Sequence, residues 1–251
     1  MKFPASIFAA ILISFCVFAF TSTPTVNNKP LSHRQFTQLL QKHVNKKGDV
    51  NYKGFLKDSV ALNKYLSTLS NNMPDSLAST NQKFAYWINA YNAFTIKLII
   101  SNYPLKSIKD LGSTATNNSP WDKKFFKING KDFSLNIIEH QILRKQFNDP
   151  RLHFAINCAS FSCPKLINRA FEPAILQKQF TACAVEFFND STKNKITSSQ
   201  AQLSSIMLWY KTDFTKAGLT LAAYINQYST NKIAENSPIT HLPYNWALNE
   251  Q

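Results

Sequence analysis

Apolar residues recur at helical spacing along most of this chain. Phe36, Leu39, Leu40 and Val44 fall at intervals of three and four behind Ser32, which predicts a capped helix over residues 32–44. Lys47, Gly48 and Asp49 turn the chain. A second stripe, Leu62, Tyr65, Leu66 and Leu69, predicts a helix that stops at Met73 and Pro74. The third run, FAYWINAYNAFTIKLII, is apolar on nearly every side and ends at Asn102, Tyr103 and Pro104. Such a helix is buried all round, and Ser79 with Gln82 supplies a capping box at its start. Asn89 and Asn92 lie one turn apart on it. A buried amide without partners costs about 1–3 kcal/mol, so both need defined partners, in the loop around His153 or in a substrate.

Strand signals are fewer. KKFFKINGKDFSL carries Asn129-Gly130 between apolar flanks, a two-residue hairpin signal. Ser134 then opens a helix that runs to Asn148, Asp149 and Pro150. Residues 151–157 alternate, with Leu152, Phe154 and Ile156 on one face, and predict a short strand. Later helices are expected over 172–188, 202–212 and 217–228, with a short strand near Ile196. The expected class is α+β: a mainly helical single domain around one buried central helix, with a small antiparallel sheet.

Residues 7–20 form an apolar run behind Lys2, followed by Thr21, Ser22 and Thr23. This predicts a signal peptide over 1–23, a disordered mature start over 24–31 and one globular domain over 32–251. Cys16 follows the bulky Phe15, which argues against lipidation. The next most apolar segment carries Asn89, Asn92 and Lys97, so no transmembrane segment is expected after leader cleavage. The expected location is across the inner membrane, periplasmic or secreted. A formal charge of +14 favours anionic partners, such as an envelope surface. Nucleic acid is not expected, because of export and because the charge is nearly all lysine, with arginine only at Arg34, Arg144, Arg151 and Arg169.

Chemistry concentrates in HFAINCASFSCPKL, which begins at His153 and ends past Pro164. Cys158 as a nucleophile needs a base, and His153 or His140 is the candidate. In a strand, residues five apart face opposite ways, so the chain must double back after Asn157 to bring His153 and Cys158 together. The competing reading is a Cys158–Cys163 disulfide locking that turn, which four intervening residues allow and which export favours. Oxidation would silence Cys158, so the two readings exclude each other. Cys158, Cys163, His140 and His153 also suit zinc in ligand type, but the usual short spacings are missing and no metal or other cofactor is expected. Cys183, within FTACAVEFF, reads as a buried small hydrophobe. His33, His43 and His241 read as surface or packing residues.

The ordered set YWINAYNAFTIKLI, YPLKSIKD, PWDKKFFKINGKDFSLNIIEHQILR, DPRLHFAINCASFSCPKL and LPYNWALN resembles the domain of unknown function 547 family. The resemblance covers nearly all of the chain after the leader. It implies membership of a family found in exported bacterial proteins and in larger plant and animal proteins, with no reaction to transfer. It draws attention to Trp87, Asn89, Tyr91, Asn92, Glu139, His140, Arg144, His153, Cys158, Ser160, Cys163 and Pro164. Asn245 stands where the family usually has an aspartate, which weakens any acid role there.

Two functional expectations follow. One is a hydrolase or acyl transferase acting on a peptide or amide, with His153, Cys158, Glu139 and His140 as catalytic groups. Trp87, Asn89, Tyr91, Asn92, Arg144 and Ser160 would then bind the substrate. The other is a non-catalytic domain of the cell envelope that binds a small molecule or peptide, or serves assembly, with Cys158 and Cys163 joined. Whether the chain is an enzyme stays open at this point.

Overall fold

The computed structural model describes residues 1, 31–113, 118–216 and 218–251; the leader and nearly all of the mature start expected from the sequence lie outside the described residues. Helix α4 (Thr80–Ile100) is the axis of the fold, and sixteen of its residues are buried. The capping box forms as expected: the Ser79 hydroxyl accepts from the Gln82 amide at 3.2 Å, and the Gln82 side chain accepts from the Ser79 amide. Helices α2 (Tyr52–Lys57) and α3 (Ser59–Asn71) pack beside it through their apolar residues, and α1 (Arg34–His43) packs on α2 and α3. His33 and His43 are buried in this layer, bonded to Tyr65 and Asp58 respectively.

The hairpin also forms, as β1 (Phe126–Ile128) and β2 (Lys131–Phe133), with Phe126 opposite Phe133. Asn129 and Gly130 have φ of 50° and 73°, the left-handed pair that such a tight turn requires. The next helix is irregular. Residues Ile137–Leu143 are π-helical and pass into α5 (Arg144–Phe147). Wide turns of this kind are concentrated at functional sites.

The strand near Ile196 forms as expected, and other expectations need correction. Residues 151–157 are not a strand: Pro150–Phe154 is a 3₁₀ helix, with Pro150 in its first turn and the Asp149 carboxylate accepting from the Arg151 amide. Alternation misled because residues 152–157 are buried on both faces, so the pattern reported no inside and outside. Helix α6 (Leu176–Asn189) follows a short 3₁₀ turn at Pro173–Ile175. The span expected as one helix near 202–212 is strand β4 (Ala201–Ser204) followed by α7 (Ile206–Trp209) and α8 (Lys211–Phe214). Strand β3 (Lys195–Ile196) pairs antiparallel with β4, and β5 (Ile239–Leu242) pairs parallel on its other edge. Helix α9 (Leu221–Ile225) is shorter than expected and is capped by Thr220. The class is α+β, with two small sheets among the described residues instead of one.

The C-terminal tail is stitched across the molecule. Val50 bridges Glu250, Ser107 bridges Ala247, and Ser160 bridges Leu248. The Phe161 amide donates to Ala247 at 2.7 Å, and the Tyr52 hydroxyl donates to Asn249 at 2.7 Å. These bonds fix Tyr244 and Trp246 against the loop that follows His153. Among the described residues no helix is long and apolar enough to cross a membrane.

Candidate functional site

Asn89 and Asn92 hold the site's loops. The Asn92 side chain donates to the Ala155 carbonyl and accepts from the Asn157 amide, at 2.9 and 2.8 Å. Asn89 does the same to Phe171, donating to its carbonyl and accepting from its amide, both at 2.9 Å. Each amide mimics a strand partner for one buried backbone segment, which satisfies groups that would otherwise be left unpaired. Both amides are thereby filled from within the chain, and neither lines the cavity described next. Asn157 extends the scaffold, donating to the Pro164 carbonyl and accepting from the Ala159 amide. Ala159, at φ 63°, makes the reversal that carries the chain back past Cys158.

A cavity of about 280 Å³ opens between this loop, the π-helical segment, α7 and the tail. Tyr91, Glu139, His140, His153, Cys158, Cys163 and Pro164 line it, so six residues singled out as catalytic, substrate-binding or disulfide candidates do converge. Trp87 does not reach it and packs between Tyr86 and Phe133. Ser160 is fully buried behind the wall. Arg144 does not line the cavity either, and bonds a neighbour of His153 instead.

That neighbour is Asp213, which composition and spacing gave no reason to choose. His153 Nε2 lies 2.8 Å from Asp213 Oδ2, while Arg144 donates to the same carboxylate through Nε at 2.7 Å and Nη2 at 3.0 Å. Arg144 Nη1 also lies 3.1 Å from His140 Nδ1. Burial by itself would raise the Asp213 carboxyl, but the bonds from His153 and Arg144 more than offset it and hold it well below the usual carboxylate range. Burial lowers the His153 pKa, and the bond to Asp213 opposes this only in part. At neutral pH the pair is therefore a carboxylate and a neutral imidazole that donates from Nε2. Its Nδ1 then carries a lone pair and has no hydrogen-bond partner among the described residues. The ring stacks on Tyr210 at 3.9 Å between centroids.

Glu139 is the cavity's own carboxylate and is buried. It accepts a hydrogen bond from the Tyr210 hydroxyl at 2.7 Å. Burial first, and the Glu139 charge second, raise the hydroxyls of Tyr91, Tyr210 and Tyr244, so all three stay neutral donors. The opposite wall is aromatic: Tyr244 lies 4.5 Å from Trp246 and 4.8 Å from Trp209, and Trp121 meets Trp246 edge-on at 5.7 Å. Trp209 is 47% exposed at the rim. Of these wall residues Trp121, within PWDKKFFKINGKDFSLNIIEHQILR, and Tyr244 and Trp246, within LPYNWALN, carried a sequence signal, whereas Trp209 did not.

Cys158 and Cys163 are joined as a disulfide, with their Cα atoms 6.3 Å apart. Cys183 is free and buried, and desolvation pushes its thiol up to about 12, as expected of a packing residue. Among the described residues no three His, Cys, Asp or Glu side chains cluster as metal ligands.

No curated protein matches the chain, and no solved structure does. A family model described as Protein of unknown function, DUF547, matches residues 74–188. That span takes in α4, the hairpin, the π-helical segment and the disulfide loop, whereas Asp213, Tyr210 and the aromatic wall of the tail lie beyond it. The buried amides, the Glu139–Arg144 helix and the His153–Pro164 loop all fall inside the match, and over that span the chain is similar to the domain of unknown function 547 family.

Proposed function

We propose that this is an exported, ligand-binding protein of the cell envelope, whose cavity receives a small molecule or a peptide side chain. The observation that carries this reading is the Cys158–Cys163 disulfide in the cavity wall, which withholds Cys158 as a nucleophile while leaving an aromatic, polar-floored hollow. Pockets with apolar walls and a few fixed polar groups are the usual form of a small-ligand site. Glu139, the three tyrosine hydroxyls and His153 would orient the ligand, and Trp121, Trp209 and Trp246 would cover its apolar face. Export is supported by the leader-like residues and by the disulfide, which persists in oxidising compartments. The excess of lysine suits an anionic envelope surface.

Three of the four tryptophans line the cavity, so intrinsic fluorescence is a built-in reporter. Acetylated amino-acid amides, titrated to millimolar concentration, are expected to quench it saturably. Trp246→Ala and Glu139→Ala should abolish the quenching, and Trp87→Phe should preserve it. An absence of saturable quenching across the series, or quenching indifferent to Trp246 and Glu139, would reject the reading. Cell fractionation with mass measurement of the mature N-terminus tests export.

A second reading is favoured by the His153–Asp213 pair. An imidazole held by a carboxylate and facing the cavity of Cys158 has the form of an acid–base partner for a thiol. With the disulfide open, His153 would take the Cys158 proton as sulfur attacks a peptide or amide carbonyl, with Glu139 and His140 in supporting roles. Activated-ester hydrolysis that appears only after reduction and is lost in Cys158→Ala would establish a hydrolase or acyl transferase. Turnover unaffected by either change would dismiss it.

A further inference from the structure

The disulfide in the cavity wall is chemically asymmetric. Cys158 is half-buried, whereas Cys163 is 5% exposed. A disulfide sulfur carries no hydrogen, so in every polar contact it makes the neighbouring N–H or O–H is the donor. Cys163 Sγ receives the Cys158 backbone N–H at 3.0 Å and the Tyr244 hydroxyl at 3.2 Å. Cys158 Sγ has only longer contacts, 3.4 Å to the same hydroxyl and 3.5 Å to Ser160 Oγ. The single Tyr244 proton can serve one sulfur at a time, and Cys163 is nearer. Donors aimed at a sulfur stabilise its thiolate, and a stabilised thiolate leaves faster in thiol–disulfide exchange.

The other requirements of that exchange are present. Access is provided by the cavity, which both cysteines line. A base is provided by His153, which lines the same cavity while Asp213 holds its ring through Nε2. A structural disulfide needs neither an opening of this kind nor two donors on one of its sulfurs.

We infer that the cavity is a thiol–disulfide exchange site for a low-molecular-weight thiol, with Cys158 as the sulfur attacked and Cys163 as the leaving thiolate. The inference rests on the reading of the cavity as ligand-binding space, and it names a thiol as the substrate class. The entering thiol gives its proton to His153. Its sulfur electron pair forms a bond to Cys158 Sγ as the Cys158–Cys163 bond breaks, and that bonding pair departs on Cys163, held by Tyr244 and the Cys158 amide. A second thiol attacks the external sulfur of the mixed disulfide and releases the low-molecular-weight disulfide and the Cys158 thiol. Two thiols are oxidised, and the protein gains two protons and two electrons.

The test uses the purified oxidised protein and 2-mercaptoethanol under native conditions, quenched with acid, alkylated with N-ethylmaleimide and mapped by peptide mass. A mixed disulfide on Cys158 with the alkyl group on Cys163 is expected. Tyr244→Phe keeps both cysteines and should slow opening about tenfold, the loss of one hydrogen bond to a developing charge; its thermal melt establishes that it folds. A disulfide that resists the thiol until urea unfolds the chain, an adduct on Cys163, or a Tyr244→Phe rate equal to the parent would overturn the proposal. Fluorescence quenching by the amide series separates the two readings. Quenching with an inert disulfide rejects exchange alone, and loss of both rejects the cavity as a ligand site.

Discussion

Replacing Asp213 by asparagine tests the charged group that holds His153 in the cavity wall, with almost no change of shape. The carboxylate makes three bonds, to His153 Nε2 at 2.8 Å and to Arg144 Nε and Nη2 at 2.7 and 3.0 Å. A hydrogen bond to a charged group contributes about 1.5–3 kcal/mol, which summed independently would overstate the loss. The Arg144 side chain is 28% exposed and regains water, and an amide oxygen still accepts one of its bonds. His153 has no such relief, since its side chain is 1% exposed and faces an amide NH₂ that forces its other tautomer. The expected net loss is about 2–4 kcal/mol, in the range for breaking a partly buried ion pair. For a chain of this size that lowers the melting temperature by roughly 4–15 °C. Urea unfolding followed by circular dichroism measures it, and nitrogen NMR of the His153 ring reads the tautomer. The pH dependence has a definite sign. Asp213 titrates lower when folded, so its contribution is complete above about pH 4 and is lost as pH falls further, through the folded-state pKa. The penalty of Asp213→Asn should therefore be constant from pH 7 to about 5 and shrink in strong acid. An unchanged urea midpoint, or a penalty additive with that of Arg144→Met, would refute the account.

Three further outcomes follow from the same geometry. Asn92→Leu strands the Ala155 carbonyl and the Asn157 amide without partners and should cost about 2–4 kcal/mol in urea unfolding; a loss below about 1 kcal/mol would mean the loop finds other partners. Burial lowers the His33 pKa from 6.5 to about 4, so the unfolded chain takes up a proton first on acidification. That stability is present above pH 6.5 and declines towards pH 4 by about 3 kcal/mol, and His33→Asn should flatten this limb of the pH–stability curve. Cys183 should resist iodoacetamide in the native protein and react on unfolding, because its thiol is buried and its pKa is near 12; rapid native labelling would show that α6 opens.

The sequence by itself determined the elements whose causes are local. The Ser79–Gln82 cap, the all-round apolar run of α4, the Asn129-Gly130 turn and the Pro150 break each act within a few residues, so a short window contains the whole cause. It also marked the demand made by Asn89 and Asn92, because two amides on a buried helix must be bonded to something. What they bond, backbone at Ala155, Asn157 and Phe171, only the tertiary structure decided. The strand expected after Pro150 and the helix expected near residue 205 failed for a related reason. Alternation carries information only where one face meets water, and β4 owes its extended form to β5, which lies more than thirty residues further along the chain. Likewise His153 was visible as a candidate base but Asp213, sixty residues away, was not. A single acid among lysines looks like surface until packing brings it to an imidazole. The sequence named the groups able to do chemistry, and long-range contacts chose their partners, because hydrogen bonds and burial depend on distance in space and not along the chain.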